Sequence, residues 1–180
     1  MVLLGARGIC LLPARARAVI ALALLMPLAR FGPRYFLLAR DLATGREHSW
    51  VDVAMDRDSR EVAALTRSLK AAPPDTLLVW GFRPELYIYT GLPAASRFLD
   101  SQPVTGVPAD RHLVDSTPVT PELAAINRQE LMRSRPTLIL DGLGPYNPKL
   151  SIDSYPDLQP WLADYRPVGR TRSTIIYRRD

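Results

Sequence analysis

The residues whose types and spacing could support chemistry follow two short apolar runs. Thr76–Trp80 is followed by Glu85, and Thr137–Leu140 is followed by Asp141. In open α/β sheets, ligands gather beyond the carboxyl ends of the strands. We therefore predict that, if the two runs are neighbouring strands, Glu85 and Asp141 share a crevice with Arg97. Two carboxylates and a guanidinium would form a plausible binding site there.

Each of these residues also has a purely structural interpretation. Glu85 could help cap a short helix, Asp141 could make a turn, and Arg97 could pair with one of the two carboxylates. Tyr87 and Tyr89 could stack on a sugar or a base, although two aromatic side chains on a short helix are more often part of a core. The predicted binding residues are therefore Glu85, Tyr87, Arg97 and Asp141, with the structural alternative open for each.

Established catalytic patterns do not match this sequence. It has no Gly-x-Ser-x-Gly elbow, no P-loop and no Gly-x-Gly-x-x-Gly after a strand, since Gly142-x-Gly144 continues with Pro145. The two histidines, His48 and His112, lack metal-ligand spacing. The single cysteine, Cys10, excludes an intramolecular disulfide. We predict no catalytic residue, no metal site and no cofactor.

The elements that would position these residues alternate between helices and apolar strands. Helix signals lie at Asp58 with Glu61, at Glu85–Thr90 before Gly91, at Thr120 with Leu123, Ile126 and Leu131 as its apolar side, and at Tyr155–Tyr165. Two final strands, around Arg166–Arg170 and Ser173–Arg178, favour a hairpin. The predicted fold class is α/β, with a small parallel-type sheet flanked by helices and a C-terminal hairpin.

Charge is distributed unevenly along the chain. The net charge is +5, but residues 1–40 carry six arginines and no acid, so residues 41–180 hold 17 basic and 18 acidic side chains. A nucleic-acid-binding domain would concentrate positive charge on its folded part. We therefore expect no nucleic-acid partner, and we expect the arginines to face lipid headgroups.

The N-terminal part has three open interpretations. Ala18–Ala29 carries no charge but is too short to span a bilayer, unless the helix continues through Phe31–Ala39 with Arg30 and Arg34 reaching toward the interface. It could be a membrane helix, the apolar part of a signal peptide covering residues 1–29, or a buried soluble helix. The first places Arg15 and Arg17 on the cytoplasmic side and residues 41–180 on the extracytoplasmic side. The predicted organisation is a membrane segment at 1–40, a connector at 41–57 and a soluble domain at 58–180.

Several short motifs occur in an order that resembles a known family. They are Leu77–Gly81 ending in Trp-Gly, Pro84 to Tyr87, Tyr89-Thr90-Gly91, Ser96-Arg97 and the later Arg135-Pro136-Thr137 before an apolar strand. This order is similar to the C-terminal extracytoplasmic part of GT-C class membrane glycosyltransferases, which use polyprenyl-phosphate sugars.

The resemblance implies a part of a glycosyltransferase that lacks the catalytic residues. In such enzymes the catalytic acid lies in the first extracytoplasmic loop, and this sequence contains no counterpart of that loop. The chain then resembles a C-terminal part of a glycosyltransferase that is inactive alone. It would act by packing on the catalytic membrane core or by helping acceptor binding. The alternative is an exported α/β domain that binds a small anionic or sugar ligand.

Overall fold

The computed structural model describes residues 13–46 and 51–180. The chain divides between Val53 and Ala54 into two compact units, which are described separately below. The sequence predictions that concern Cys10 and His48 lie outside the described residues.

The first unit is dominated by one long helix. Helix α1 covers Ala14–Ala43, which is 30 residues, or about 45 Å at about 1.5 Å per residue. Its most apolar window has a mean hydropathy of 1.4 and contains no buried residue. The helix runs without a break through Ala18–Ala29 and Phe31–Ala39, as the membrane-helix interpretation required. It is longer than a hydrocarbon core of about 30 Å. Among the described residues α1 is the one helix long and apolar enough to cross a membrane.

The second unit is a four-stranded mixed sheet covered by helices. Its elements, beginning with a helix that crosses the unit boundary, are α2 Val51–Ser68, β1 Leu77–Trp80, α3 Glu85–Thr90, α4 Gln102–Thr105, α5 Pro121–Leu131, β2 Leu138–Asp141, three short 3₁₀ turns between Pro148 and Leu158, α6 Gln159–Leu162, β3 Tyr165–Arg170 and β4 Ile175–Arg179. The strand order is β1-β2-β4-β3. Strands β1 and β2 are parallel, whereas β4 is antiparallel to both β2 and β3.

The continuous apolar runs of β1 and β2 form strands because both faces of the sheet are covered. Side chains alternate between the two faces of a strand, so Leu78 and Trp80 pack into one cluster with helix α5 and the segment up to Tyr165. Leu77 and Val79 pack on the opposite face against Val62 of α2 and α3. A strand buried on both faces needs apolar residues at successive positions, and this explains the absence of polar alternation.

Two helix predictions and the sheet type need correction. The sheet is mixed and not of purely parallel type, because the C-terminal hairpin, itself confirmed, inserts β4 beside β2. Helix α2 begins at Val51, not at Asp58, because the Asp58 carboxylate binds groups from other elements and does not cap its own helix. The segment expected to be one helix over Tyr155–Tyr165 divides into a 3₁₀ turn, α6 and the first residue of β3.

The buried face of α5 also differs from the prediction. Leu131 is buried as expected, but Leu123 and Ile126 are 54% and 60% exposed. The inward face carries Ala124 and Asn127 instead. The small Ala124 side chain permits close approach to α4, and the Asn127 amide donates a hydrogen bond of 2.7 Å to the Pro103 carbonyl of α4.

Candidate functional site

The carboxyl ends of β1 and β2 lie at one edge of the sheet, next to the start of β4. The register pairs Trp80 with Asp141 and Asp141 with Ile175. The two strand ends are therefore neighbours, which is the condition on which the predicted crevice depended, and polar residues gather on both sides of them.

A buried guanidinium organises this edge. Arg83 donates from Nε to Glu85 at 2.9 Å and from Nη1 to Asp58 and to Ser173, the last at 3.0 Å. Its Nη2 donates to Ser59 and to the Met55 carbonyl. Residues Asp58, Ser59, Arg83, Glu85 and Ser173 are called the Arg83 cluster below.

The Arg83 cluster joins three separate elements. Asp58 and Ser59 come from α2, Arg83 and Glu85 from the turn into α3, and Ser173 from the β3–β4 turn. Burial lowers the pKa of Arg83, but its hydrogen bonds to Asp58 and Glu85 outweigh burial and hold that pKa above its usual value. Every guanidinium nitrogen has an acceptor, so the cluster acts as an internal clamp that fixes the edge of the sheet.

Glu85 belongs to this clamp, and Tyr87 protects an edge strand. Glu85 accepts hydrogen bonds from Arg83 and, at 3.3 Å, from Ser59. The Tyr87 hydroxyl accepts a hydrogen bond of 3.1 Å from the backbone N–H of Val79 in β1. Burial raises the pKa of Tyr87. Because β1 is the outer strand of the sheet, this bond satisfies a donor that would otherwise be open to pairing with another chain.

Asp141 lies at the centre of a second internal network. Its Oδ1 accepts hydrogen bonds from the N–H groups of Leu143 and Gly144, both at 2.8 Å. Its Oδ2 accepts from the Ser151 hydroxyl at 2.8 Å and from the Ile152 N–H at 3.0 Å. The residue is fully buried, and burial raises its pKa against the opposing effect of these bonds. Asp141 thus makes the turn that the structural alternative anticipated.

Arg97 lies on the surface with a different acid. It forms a bidentate ion pair with Glu130 of α5, with both N–O distances at 2.7 Å. Its side chain is 68% exposed, and with Glu130, Arg133 and Ser134 it lines a shallow groove. Glu85, Asp141 and Arg97 therefore have three different sets of partners, and none of them contacts another.

A separate cleft, which sequence reasoning missed, lies between α5 and the loops on either side of it. It has a volume of about 160 Å³ and is lined by Thr105, Ser116, Pro118, Pro121, Ala124, Arg128, Lys149, Leu150 and Tyr155. We call it the basic cleft. Arg128 lies over the Tyr155 ring, 4.7 Å from its centroid. The one sequence signal for Lys149 is its place after Asn147-Pro148, which form a turn, and such a turn does not by itself indicate a site.

The described residues contain no group of histidine, cysteine and carboxylate side chains able to hold a metal ion. Comparisons of the chain with known protein families, with curated proteins and with solved structures find no match.

Proposed function

We propose that the chain is a membrane-anchored extracytoplasmic domain of a GT-C-like glycosyltransferase, which assists a catalytic membrane core and does not transfer sugar itself. The observation that carries the proposal is α1, whose large apolar side chains, such as Leu22, Leu24 and Met26, are exposed over most of its length. Exposing a continuous apolar surface of this size to water is unfavourable, whereas lipid solvates it. The ordered motifs described above support the link to this class of enzyme.

The polar groups of the second unit also favour an accessory role. Arg83, Glu85 and Asp141 use their hydrogen bonds to hold elements of the unit together. A catalytic acid or base needs access to a substrate proton, and the Asp141 carboxyl is completely buried. We expect purified full-length protein to show no transfer from polyprenyl-phosphate sugars, and robust turnover would overturn the accessory role.

Anchoring is tested by placing charge at different depths of α1. The double variant Leu24→Arg and Leu25→Arg puts two charges near the middle of the helix, at a cost of about 2.5–3.5 kcal/mol each on insertion scales. Leu42→Arg puts a charge at the helix end, where an arginine reaches the interface cheaply. We expect the double variant alone to be extracted from membranes by alkaline carbonate, and equal retention of both variants would contradict a bilayer-spanning α1.

Sidedness is tested by labelling a single cysteine. In a Cys10→Ser background, Gln129→Cys places a thiol at an exposed position of α5. A membrane-impermeant maleimide should label this thiol in cells whose inner membrane is intact. Labelling that appears only after lysis would place the domain in the cytoplasm.

A second candidate function is an exported α/β domain that binds a small anionic or sugar ligand, with residues 1–29 as a signal peptide. The basic cleft favours it, because a concave site with two cationic side chains and hydroxyl groups suits such a ligand. N-terminal sequencing of the mature protein separates the two candidates. Retention of Ala18–Ala29 supports the anchored form, whereas a new N-terminus near Arg30 supports the exported form.

A further inference from the structure

The basic cleft has hydrogen-bond donors that the described part of the chain does not use. Lys149 is exposed at the cleft wall and forms no ion pair with a described carboxylate. Arg128 donates from Nε to Asp157 at 2.7 Å and from Nη1 to the Val104 carbonyl at 2.8 Å. These two bonds fix the guanidinium and leave its Nη2 without an acceptor among the described residues.

The phenol of Tyr155 is a third donor in the same wall. Its ring is held edge-on against Trp80, with the centroids 5.4 Å apart, and Arg128 covers it. Its hydroxyl has no hydrogen-bond partner among the described residues, although the residue is about half-buried. A phenol keeps its proton at neutral pH and is able to donate, and burial raises the pKa of Tyr155 further, to about 12.

Charge and size limit the ligand that would use these donors. Among the described residues that line the cleft, Arg128 and Lys149 are basic and none is acidic. Even when Asp157, which pairs with Arg128, is counted with them, the lining has a net positive charge. A volume of about 160 Å³ is below the roughly 300–1,000 Å³ typical of sites for drug-sized ligands. An oxyanion group fits these limits better than a whole sugar nucleotide does.

We propose that the basic cleft binds a phosphate group, either as free phosphate or as part of a lipid headgroup. The Lys149 ammonium supplies charge, the fixed Arg128 guanidinium donates through Nη2, and the Tyr155 hydroxyl donates a neutral hydrogen bond. Three donors around one cleft suit a tetrahedral anion, which presents acceptors in more directions than a planar carboxylate. The proposal deepens the second candidate function but does not depend on whether α1 stays in the membrane.

Calorimetric titration of the full chain in phosphatidylcholine nanodiscs tests the proposal. Inorganic phosphate is the probe, with sodium chloride at matched ionic strength as the reference titration. We expect saturable binding of phosphate and none of chloride. Absence of saturable phosphate binding would overturn the proposal, whatever the membrane experiments show.

Two variants test the assigned donors. Lys149→Gln should weaken phosphate binding about tenfold, the effect expected for one charge-assisted hydrogen bond. Tyr155→Phe keeps the ring against Trp80 and should weaken binding about fivefold through loss of the hydroxyl. Arg172→Gln is the matched control, because Arg172 is exposed and does not line the cleft. An equal loss in Lys149→Gln and Arg172→Gln, or no loss in Tyr155→Phe, would refute the site.

A second arm distinguishes the two sources of the phosphate group. Nanodiscs that contain phosphatidic acid present a phosphate monoester at the bilayer surface. If the lipid headgroup occupies the cleft, these nanodiscs should raise the apparent Kd for inorganic phosphate in the wild-type chain but not in Lys149→Gln. An unchanged Kd in the wild type assigns the site to free phosphate.

Discussion

Replacing Arg83 by alanine should destabilise the second unit far more than the removal of an exposed ion pair does. The Arg83 side chain is 9% exposed and sits between the carboxylates of Asp58 and Glu85, which are 15% and 32% exposed. The substitution removes the cation and leaves two partly desolvated acids facing each other. It also removes the donors used by Ser59 and the Met55 carbonyl.

The magnitude follows from the burial of the pair. Removing one partner of a buried, hydrogen-bonded ion pair costs about 3–5 kcal/mol, because the remaining charge loses its compensation. For a unit of the size of residues 54–180, an unfolding entropy of about 2.1 cal/mol/K per residue converts this into a fall in Tm on the order of 10–20 °C.

Arg97→Ala is the matched control. It removes an arginine of the same length whose ion pair with Glu130 has good geometry but lies in solvent, where such pairs contribute about 0–1 kcal/mol. The Tm of both variants is measured on the full chain in detergent by fluorescence. The buried Trp80 is a suitable reporter because it lies in the core beside the sheet edge. Equal destabilisation by Arg83→Ala and Arg97→Ala would refute the clamp role of the Arg83 cluster.

Three further predictions follow from the packing of the second unit. Gly106→Ala should lower the free energy of unfolding in urea by about 2–4 kcal/mol, because Gly106 has φ +72° and an added Cβ would lie 3.0 Å from Pro118 Cβ. Gly91→Ala is the control: Gly91 has φ +70° but open space around it, so the loss should be about 1 kcal/mol. Asp141→Asn should lower the free energy of unfolding by about 1–3 kcal/mol, because an amide NH₂ group cannot accept the hydrogen bond of the Ile152 N–H. Asp153→Asn, at an exposed position, is the control, and equal unfolding midpoints of the two variants would contradict the Asp141 network. Burial raises the pKa of Tyr165 to about 12, above its value of about 10 in the unfolded chain. The stabilisation that results is present below about pH 10 and is lost as the pH rises toward 12. In urea unfolding at several pH values, Tyr165→Phe should therefore lose less stability at alkaline pH than the wild type, and an unchanged slope would contradict this prediction.

The secondary structure that could be predicted from sequence was carried by local signals. The local signals are the apolar runs at Leu77–Trp80 and Leu138–Leu140, the proline at the start of α5 and the glycine after α3. Each acts over a few residues, and the structure confirms the elements that they predict. The direction of the C-terminal strands within the sheet was not predictable in this way. Whether β4 joins β2 depends on pairing between residues far apart in the sequence.

The errors at α2 and α5 have a common physical origin. Asp58 was expected to cap a helix because it precedes an apolar repeat, but its carboxylate binds Thr171 and Ser173, more than a hundred residues later. Leu123 and Ile126 were expected to face inward because of their hydrophobicity. Close packing against α4 instead selected the smaller Ala124, since the helices approach closely there. In both cases a long-range contact outweighed a local preference.

The same principle explains the internal contacts that Glu85 and Asp141 make at the strand ends. Strand ends of a small α/β unit are places where buried backbone groups need partners, and Asp141 and the Arg83 cluster supply them. A polar residue after a buried strand therefore indicates either a ligand site or an internal clamp. The two cases are distinguished by whether other residues of the protein already use the hydrogen-bonding groups of that side chain. At Arg83 and Asp141 those groups are used, whereas at Lys149 and the Tyr155 hydroxyl no described residue uses them. This difference is the reason why we propose phosphate binding at the basic cleft, whereas binding at the edge of the sheet stays a prediction from the sequence.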